Sequence, residues 1–290
     1  MILPQVEIED LVNTRSIVHY VLERQNKDGG YTFCRGAESN AQDTYYAIEI
    51  LQMLGAQPRN VEKTLRFLQE LQHNDGDFDS VKVAYYVIQS LSHTRHLPAK
   101  PLGRLYQSFE AIFAGLEHPD TYVDVEIVSE IESVHLTVEL LKGLDFSIDA
   151  ERATNLILSL RNSDGSFGSK RHSRIASTYH ALKALKILDH EVEASGETLS
   201  WIRRCEVSTG GFVSSPESST MYMEDIYYGV KALEVLNECP KYPRETLSLI
   251  TRFQNPNGGF RRSIFLGISD FESTYQAISC IKAIISLVEW

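Results

Sequence analysis

The chain has 290 residues and a formal net charge of −11 at pH 7. Nucleic-acid binding and adsorption to anionic lipid both require clustered basic residues, so this charge disfavours both kinds of partner. The apolar fraction of 43% and the charged fraction of 23% are those of an ordinary soluble globular protein.

The two ends of the chain and its cysteines predict a cytoplasmic protein without a membrane span. Residues 1–10 carry acidic side chains where a signal peptide would carry positive charge. The apolar tail over residues 278–288 is too short to span a bilayer, and it contains Lys282. The four cysteines are far apart in sequence, so we expect reduced thiols.

A short turn motif that ends in an aromatic residue recurs along the chain. Asp, Asn or Thr is followed by glycine, which takes positive φ without penalty, and the aromatic residue comes two positions later. The aromatic residues of these five turns are Tyr31, Phe78, Phe167, Phe212 and Phe260. Tyr122, in a stretch without glycine, fills the one double-length gap. We therefore predict six turns, with an irregular third repeat over residues 116–131.

A second motif follows each turn and contains an aromatic residue, usually two positions after Ser or Asp. Apolar residues at helical spacing follow, and Ser, Asp or Thr before such a pattern is an N-cap signal. The aromatic positions are Tyr45, Tyr85, His135, Tyr179, Tyr227 and Tyr275. Six helices are predicted to begin here. Six others are predicted to precede the turns, over residues 11–25, 60–73, 100–115, 148–161, 194–205 and 243–254. No segment has a strand pattern.

Six helical hairpins predict an all-α fold, an (α/α)6 toroid or barrel that covers residues 1–290 as one domain. Each repeat has about 40–50 residues and buries its apolar face on its neighbours. A closed array also leaves no apolar end that needs a capping repeat. We expect the second motif to form the inner ring of helices, with its six aromatic residues around a central cavity.

The order of these motifs resembles the prenyltransferase and squalene-cyclase repeat family. Gln25 and Gln254 stand where that family often has a glutamine before the turn. By size and repeat number, the chain is most similar to protein prenyltransferase β subunits. The resemblance implies an isoprenoid diphosphate, or another apolar small molecule, as ligand, and a helical-repeat protein as a possible partner.

In that family, one inner helix binds the diphosphate through two basic residues and a tyrosine, and it contributes Asp and Cys to a zinc site. On the fourth repeat, the basic positions are Arg171 and Arg174, and the tyrosine position is His180. The resemblance thus implies a diphosphate clamp, with magnesium possible beside it. The family's three zinc positions are filled by Ser177, Tyr179 and Tyr228, which are poor zinc ligands. We therefore expect no metal site and no other cofactor.

Alternatives remain for each of these sites. Glu132, His135 and His180 on neighbouring inner helices could form a different zinc site. Arg171 and Arg174 could belong to a solvated loop that balances nearby acids. The tyrosines could form a structural ring instead of a funnel for an isoprenoid chain.

The sequence predicts an isoprenoid-diphosphate-binding enzyme of the prenyltransferase type that lacks the usual zinc ligands. Its predicted catalytic residues are His180, Tyr179, Tyr228 and Asp225. Its predicted substrate-binding residues are Arg171, Arg174, His135, Tyr45, Tyr85, Tyr227 and Tyr275. A terpene-cyclase-like reaction on the substrate's own double bond is an alternative. So are a non-catalytic toroid that binds a lipid or protein, and a β-like subunit that requires an α subunit.

Overall fold

A computed structural model describes residues 7–117, 129–169, 171–190, 196–265 and 267–288. After a short helix α1 (Ile8–Leu11), the chain alternates between an outer and an inner ring of helices. The outer helices are α2 (Thr14–Leu22), α4 (Val61–Glu70), α6 (Gly103–Glu117), α8 (Ala150–Ser159), α10 (Gly196–Cys205) and α12 (Pro243–Thr251). The inner helices are α3 (Ala41–Met53), α5 (Val81–His93), α7 (Glu130–Gly143), α9 (Arg174–Ile187), α11 (Met223–Val235) and α13 (Phe271–Leu287).

The inner helices form a closed ring. Each packs on the next in chain order, and α13 packs back on α3. The prediction of six hairpins in an all-α toroid is therefore confirmed. Within the described ranges, none of the helices is both long enough and apolar enough to cross a membrane.

Inner helices begin up to four residues earlier than the sequence predicts. Asn40, Ser80 and Ser173 are N-caps whose side chains accept hydrogen bonds from backbone N–H groups of the first turn. The Ser and Asp residues predicted as caps, such as Asp43 and Ser177, lie inside the first turn instead. The observed and the predicted cap positions both carry side chains suited to capping. The earlier position is the cap, because its side chain accepts hydrogen bonds from the free backbone N–H groups.

The aromatic residue of each turn packs between the two rings. Tyr31, Phe167, Phe212 and Phe260 are almost completely buried. In three repeats, a threonine near the start of the following inner helix accepts a hydrogen bond from the backbone N–H of the aromatic residue: Thr44 from Tyr31, Thr178 from Phe167 and Thr274 from Phe260. In these repeats, the aromatic residue thereby fixes the inner helix relative to the outer helix that precedes it.

The turns also join each repeat to the next. The Gln25 side-chain amide donates to the carbonyl of Gly29 in its own turn and to the hydroxyl of Thr64 on the next outer helix. At Gly29, φ is +97°, and a Cβ atom would lie within 3.0 Å of the Lys63 backbone. Only glycine fits this position without displacing the next repeat.

The ring is closed by the same kind of contact. The turn of the sixth repeat packs against the first outer helix, where a Cβ on Gly258 would lie within 3.0 Å of the Ser16 carbonyl. Tyr20 of α2 also contacts Phe271 of α13, with ring centroids 5.6 Å apart. Repeats six and one are therefore neighbours, as a toroid requires.

The prediction of no strand is wrong at one place. Strands β1 (Phe260–Arg261) and β2 (Ser269–Asp270) pair in antiparallel fashion, with Phe260 opposite Asp270. The connection between this turn and α13 folds back on itself, so its two ends meet and satisfy each other's backbone groups. Of the predicted irregular segment over residues 116–131, residues 118–128 lie outside the described residues, and Tyr122 lies among them.

Candidate functional site

Ten aromatic side chains surround the centre of the toroid. Neighbouring rings in this set have centroids 5.0–6.2 Å apart. We call these residues the aromatic ring: Tyr45, Tyr46, Tyr85, Tyr86, His135, Tyr179, His180, Tyr227, Tyr228 and Tyr275. All six positions of the second sequence motif belong to it, so the structure places them as predicted.

The aromatic ring encloses a cavity of about 260 Å³. Ligand pockets commonly have about 300–1,000 Å³, so this cavity suits a small molecule rather than a long chain. Tyr45, Tyr179 and Tyr227 are less than a tenth exposed. Burial raises the pKa of each phenol well above its usual value, so these hydroxyls are neutral at physiological pH. The tyrosines present π faces and neutral hydroxyls to a ligand.

Two acidic side chains, Glu272 and Glu132, lie near the end of the central cavity at which the inner helices begin. The Glu272 carboxylate accepts hydrogen bonds from the Tyr46 hydroxyl at 3.4 Å and the Gln276 amide at 3.3 Å, and both residues line the cavity. Burial and the nearby Asp270 raise the pKa of Glu272 to about 7. Glu132, at the same end, is paired with Lys82 at 2.8 Å. Glu272 is therefore a carboxylic acid that can hold a proton near neutral pH.

A carboxylate and two histidines form a chain of close polar contacts in the cavity wall. The Nδ1 atoms of His135 and His180 are 2.9 Å apart. His135 Nε2 lies 3.1 Å from the Glu139 carboxylate, which also accepts a hydrogen bond from Tyr85 at 3.2 Å. His180 Nε2 is buried and has no hydrogen-bond partner. We call Glu139, His135 and His180 the histidine chain.

The opposite end of the cavity carries charges of both signs. His93 pairs with Glu49 at 2.5 Å, and this hydrogen bond raises the pKa of His93 above its usual value. Lys231 pairs with Glu234 on its own helix. Lys183 also lines the cavity, near Glu139. The cavity wall is thus largely balanced in charge, unlike a site built for a multiply charged anion.

The two predicted clamp arginines do not line the cavity. Arg174 begins α9, and its guanidinium binds Asp164 and the Ser166 hydroxyl of the preceding turn. The guanidinium also stacks on Trp201, 5.0 Å from the ring centroid. Arg171 is exposed in the loop before α9. Arg174 therefore joins the turn of repeat four, through Asp164 and Ser166, to the outer helix of repeat five, through Trp201.

Asp225, predicted as catalytic, is buried behind the inner ring and does not line the cavity. It lies in the first turn of α11, where its carboxylate accepts a hydrogen bond from the Tyr222 backbone N–H at 3.0 Å. Burial raises the pKa of Asp225 to about 7. Its observed contact is that of a residue that stabilises the start of the helix.

The residues at the family's zinc positions do not fit a zinc ion. Ser177 is buried, while Tyr179 and Tyr228 are phenols whose pKa is raised by burial, so none supplies an anionic ligand. In the alternative site, the Nδ1 atoms of His135 and His180 bind each other, and Glu132 is held by Lys82. No group of three or more His, Cys, Asp or Glu residues in the described part of the chain could hold a metal ion. The absence of zinc from the protein remains a prediction.

The sequence analysis missed the polar residues one helical turn beyond the second motif. Residues four positions after the motif's aromatic side chain face the same cavity. They are Glu49, Gln89, Glu139, Lys183 and Lys231. The helical period alone could have identified these positions. Glu272 was also missed. It lies three positions before Tyr275, whereas the other missed residues lie four positions after the aromatic residue of the motif.

A second cavity of about 560 Å³ lies between repeats five and six, outside the aromatic ring. Met221, Leu249 and Phe253 line it, and Phe265 at its edge is 88% exposed. Among its described lining residues, Arg252 alone carries a charge. This cavity lacks the paired titratable groups that distinguish the central one.

The fold and the central cavity define an α/α toroid. The chain belongs to the prenyltransferase α/α toroid domain family, which its sequence matches over residues 2–173 and 148–289. The resemblance inferred from the repeats is therefore confirmed. The sequence matches no curated protein.

Several solved structures share the fold at low sequence identity. The type II terpene cyclase MstE from Scytonema, in complex with merosterolic acid A, has 13% identity and a TM-score of 0.60, with 95% of this chain and 96% of that chain covered. Candida albicans protein geranylgeranyltransferase-I, complexed with GGPP, has 15% identity and a TM-score of 0.64, with coverage of 94% and 91%. A protein from Actinoplanes has 16% identity and a TM-score of 0.59, with coverage of 94% and 98%.

Proposed function

We propose that this protein is an enzyme that acts on a small isoprenoid-type olefin by proton-initiated carbocation chemistry, as a terpene cyclase does. The observation that carries the proposal is the aromatic ring around a cavity, together with a protonatable carboxyl, Glu272, that is hydrogen-bonded to two of the lining residues. Aromatic π faces attract a cation, and a desolvated site strengthens that attraction. The ring would therefore stabilise a carbocation that water would otherwise quench.

Glu272 is the proton donor in this proposal. The π electrons of the substrate's double bond take the Glu272 proton, so a C–H bond forms and the neighbouring carbon becomes a cation. The Glu272 carboxylate is left ionised beside Tyr46 and Gln276. A second double bond of the substrate can attack this cation, which closes a ring and leaves the positive charge on another carbon. In either case, loss of a proton from a neighbouring carbon discharges the cation and forms a double bond. The reaction is a cyclisation or an isomerisation, and it needs no co-substrate.

The charge distribution supports this reaction over ionisation of a diphosphate. A diphosphate requires several cationic donors at one place. Lys82 and Lys231 at the cavity are each paired with a glutamate, and Arg174 is bound to its own turn. Binding of an isoprenoid diphosphate, with magnesium beside it, remains an untested prediction, and neither has a role in this proposal.

The relatives support an apolar substrate of the same chemical class. MstE has been observed with geranylgeranyl dihydroxybenzoate as substrate, and the protein geranylgeranyltransferase-I with GGPP. Their ligands carry geranylgeranyl chains, whereas the cavity here has about 260 Å³. We therefore propose a shorter chain for this protein.

The small cavity also favours a second candidate, a toroid without catalytic activity. The ring tyrosines contact one another and fill much of the centre, as a purely structural ring would. In that case, the protein would act through its surface, by binding a lipid or a protein partner such as a helical-repeat α subunit. A direct test of turnover separates the two candidates.

The test is incubation of the purified protein with geraniol, or with geranyl diphosphate, in deuterium oxide, followed by mass spectrometry of the products. We expect solvent deuterium bound to carbon in the product. Glu272→Gln should abolish this incorporation, because glutamine has no acidic proton. Glu224→Gln is the matched control, since Glu224 has the same place at the start of α11 but is paired with Arg262.

The pH dependence gives a second readout of the same test. Glu272 must be protonated to act, so the rate should fall as the pH rises through about 7. Release of diphosphate without deuterium in the product would favour the transferase interpretation. No turnover of either compound at any pH would favour the non-catalytic toroid.

A further inference from the structure

The histidine chain has a defined order of protons. Although burial opposes it, hydrogen bonding from His135 and Tyr85 and the charge of Lys183 lower the pKa of Glu139, so this carboxyl is ionised near neutral pH. An ionised Glu139 accepts a proton from His135 Nε2. A neutral His135 then has a bare Nδ1, which accepts a proton from His180 Nδ1. His180 Nε2 is consequently left with its lone pair in the cavity wall.

We infer that His180 Nε2 is the proton acceptor of the central cavity, and that His135 and Glu139 are positioning residues that remove the resulting charge. When Nε2 takes a proton, the Nδ1 proton of His180 moves to His135 Nδ1 along the existing hydrogen bond, whose two nitrogens are 2.9 Å apart. The positive charge then rests on His135, 3.1 Å from the Glu139 carboxylate. His180 itself ends neutral.

Transfer of the charge from His180 to His135 explains how a buried histidine can act as a base. His180 is 5% exposed, and burial together with the nearby His135 and Lys82 lowers its pKa well below the usual value. An isolated buried imidazole would therefore be a weak proton acceptor. Transfer of the charge to His135 places it beside a carboxylate instead, much as an aspartate stabilises the imidazolium of a serine-protease triad.

The groups that face the chain are consistent with this role. Tyr179 and Tyr228 contact the His180 ring, with centroids 5.1 and 5.4 Å away, and both phenols are neutral. Lys82, whose charge lowers the pKa of His180, is paired with Glu132. Around Glu139, Tyr85 donates a hydrogen bond, and the charge of Lys183 favours the carboxylate form.

In the reaction, which rests on the proposed function, this acceptor completes the step that Glu272 begins. A C–H bond next to the carbocation breaks, and its electron pair forms the new double bond. The proton goes to His180 Nε2 while the Nδ1 proton shifts to His135. After the product leaves, the Nδ1 proton returns from His135 to His180, and His180 Nε2 gives its proton to water in the cavity. Glu272 regains its proton from water, so the cycle is balanced.

The tautomers are tested without any substrate. Nitrogen NMR of the histidine side chains at neutral pH should show His180 Nε2 unprotonated and His180 Nδ1 bonded to hydrogen. Glu139→Gln should change the His135 and His180 signals together. The matched control is Glu23→Gln, which breaks the surface pair of His19 and Glu23. This pair resembles that of His135 and Glu139, because in each the residues are four positions apart and the two atoms are 3.1 Å apart. A protonated His180 Nε2 in the wild type would overturn the inference.

Turnover of geraniol in deuterium oxide tests the role in catalysis. Glu139→Gln should lower the rate by about tenfold or more and move the acidic limb of the pH profile to lower pH, because the imidazolium loses its counter-charge. Glu23→Gln should leave rate and profile unchanged. A lower rate with an unmoved acidic limb would reduce Glu139 to a structural residue and overturn the inference. If no probe olefin reacts, the proposed function fails, and the NMR result alone decides whether the relay exists.

Discussion

Arg174 is the first residue of the fourth inner helix, and three neighbouring side chains contact its guanidinium. Asp164, Ser166 and the Trp201 ring all contact it, and the side chain is 13% exposed. Although burial opposes the shift, hydrogen bonds from Ser166 and Arg174 lower the pKa of Asp164 to about 2. This arginine therefore stabilises the fold through a turn rather than a ligand.

Removal of this side chain should be costly in the absence of any ligand. We expect Arg174→Ala to lower the free energy of unfolding by about 2 kcal/mol, because charge-assisted hydrogen bonds are lost and Asp164 keeps its charge without its cationic partner. Urea denaturation followed by circular dichroism measures the change. Arg171→Ala is the matched control, and it should change stability by less than about 0.5 kcal/mol, since Arg171 is exposed.

A different result would support the predicted diphosphate clamp of Arg171 and Arg174. If both variants unfold like the wild type but lose binding of geranyl diphosphate, the two arginines act together on a ligand. The interpretation from the fold would then be wrong for Arg174.

At the residue scale, the sequence predicted the positions of the aromatic ring but not the pairing of its polar neighbours. Tyr45, Tyr227 and Tyr275 recur at a fixed repeat length, so their common location follows from the period. Whether His135 binds a metal, a ligand or His180 depends on the separation of two helices from different repeats, which no single repeat encodes. The side-chain direction of Arg174 likewise depends on Asp164 in the preceding turn.

The inner helices are elements with two buried faces, one toward the outer ring and one toward the cavity. Gly229 of α11 lies on the outer-facing side, where the Phe212 ring covers it. The equivalent residue is Ala47 in α3 and Ala277 in α13. A Cβ atom on Gly229 would lie within 3.0 Å of the Phe212 ring, so this helix depends on the missing side chain.

Gly229→Ala should therefore destabilise the protein, although alanine is the better helix former. Overpacking costs about 1–3 kcal/mol and outweighs the gain in helix propensity of about 1 kcal/mol. Gly143→Ala is the matched control within another inner helix, because a Cβ there meets no atom within 4 Å. It should leave the midpoint of thermal unfolding unchanged or raise it. A Gly229→Ala protein as stable as the wild type would show that Phe212 moves aside freely.

At the element scale, helices were predicted well, while the connections were predicted less accurately. Outer helices such as α12 (Pro243–Thr251) begin where the sequence indicates and end before the turn, because the residues leading into the turn adopt turn geometry rather than further helix. The pairing of β1 with β2 could not be predicted from a pattern of alternating residues, since each strand has two residues. It results from the length of one connection.

At the scale of the whole molecule, the turns that contain Gly29, Gly165 and Gly210 each pack on the outer helix of the following repeat, and the sixth turn packs on the first outer helix. Gly29 lies against Lys63 in the contact between repeats one and two, and Gly258 lies against Ser16 in the contact between repeats six and one. Both glycines have positive φ, +97° and +94°. The two positions are therefore equivalent tests of an internal contact and of the contact that closes the ring.

In an open solenoid, stability is nearly a sum over neighbouring repeats, so a defect at the ends only frays the ends. In a closed ring, each contact between repeats supports all the others. We therefore expect Gly258→Ala and Gly29→Ala to lower the free energy of unfolding by similar amounts, about 2 kcal/mol or more, because each strains the backbone and overpacks its contact. Urea titrations followed by tryptophan fluorescence and by circular dichroism should coincide in one transition for both variants. If Gly258→Ala unfolds in two steps, or loses much less stability than Gly29→Ala, the contact between α2 and the sixth turn does not close the ring in solution.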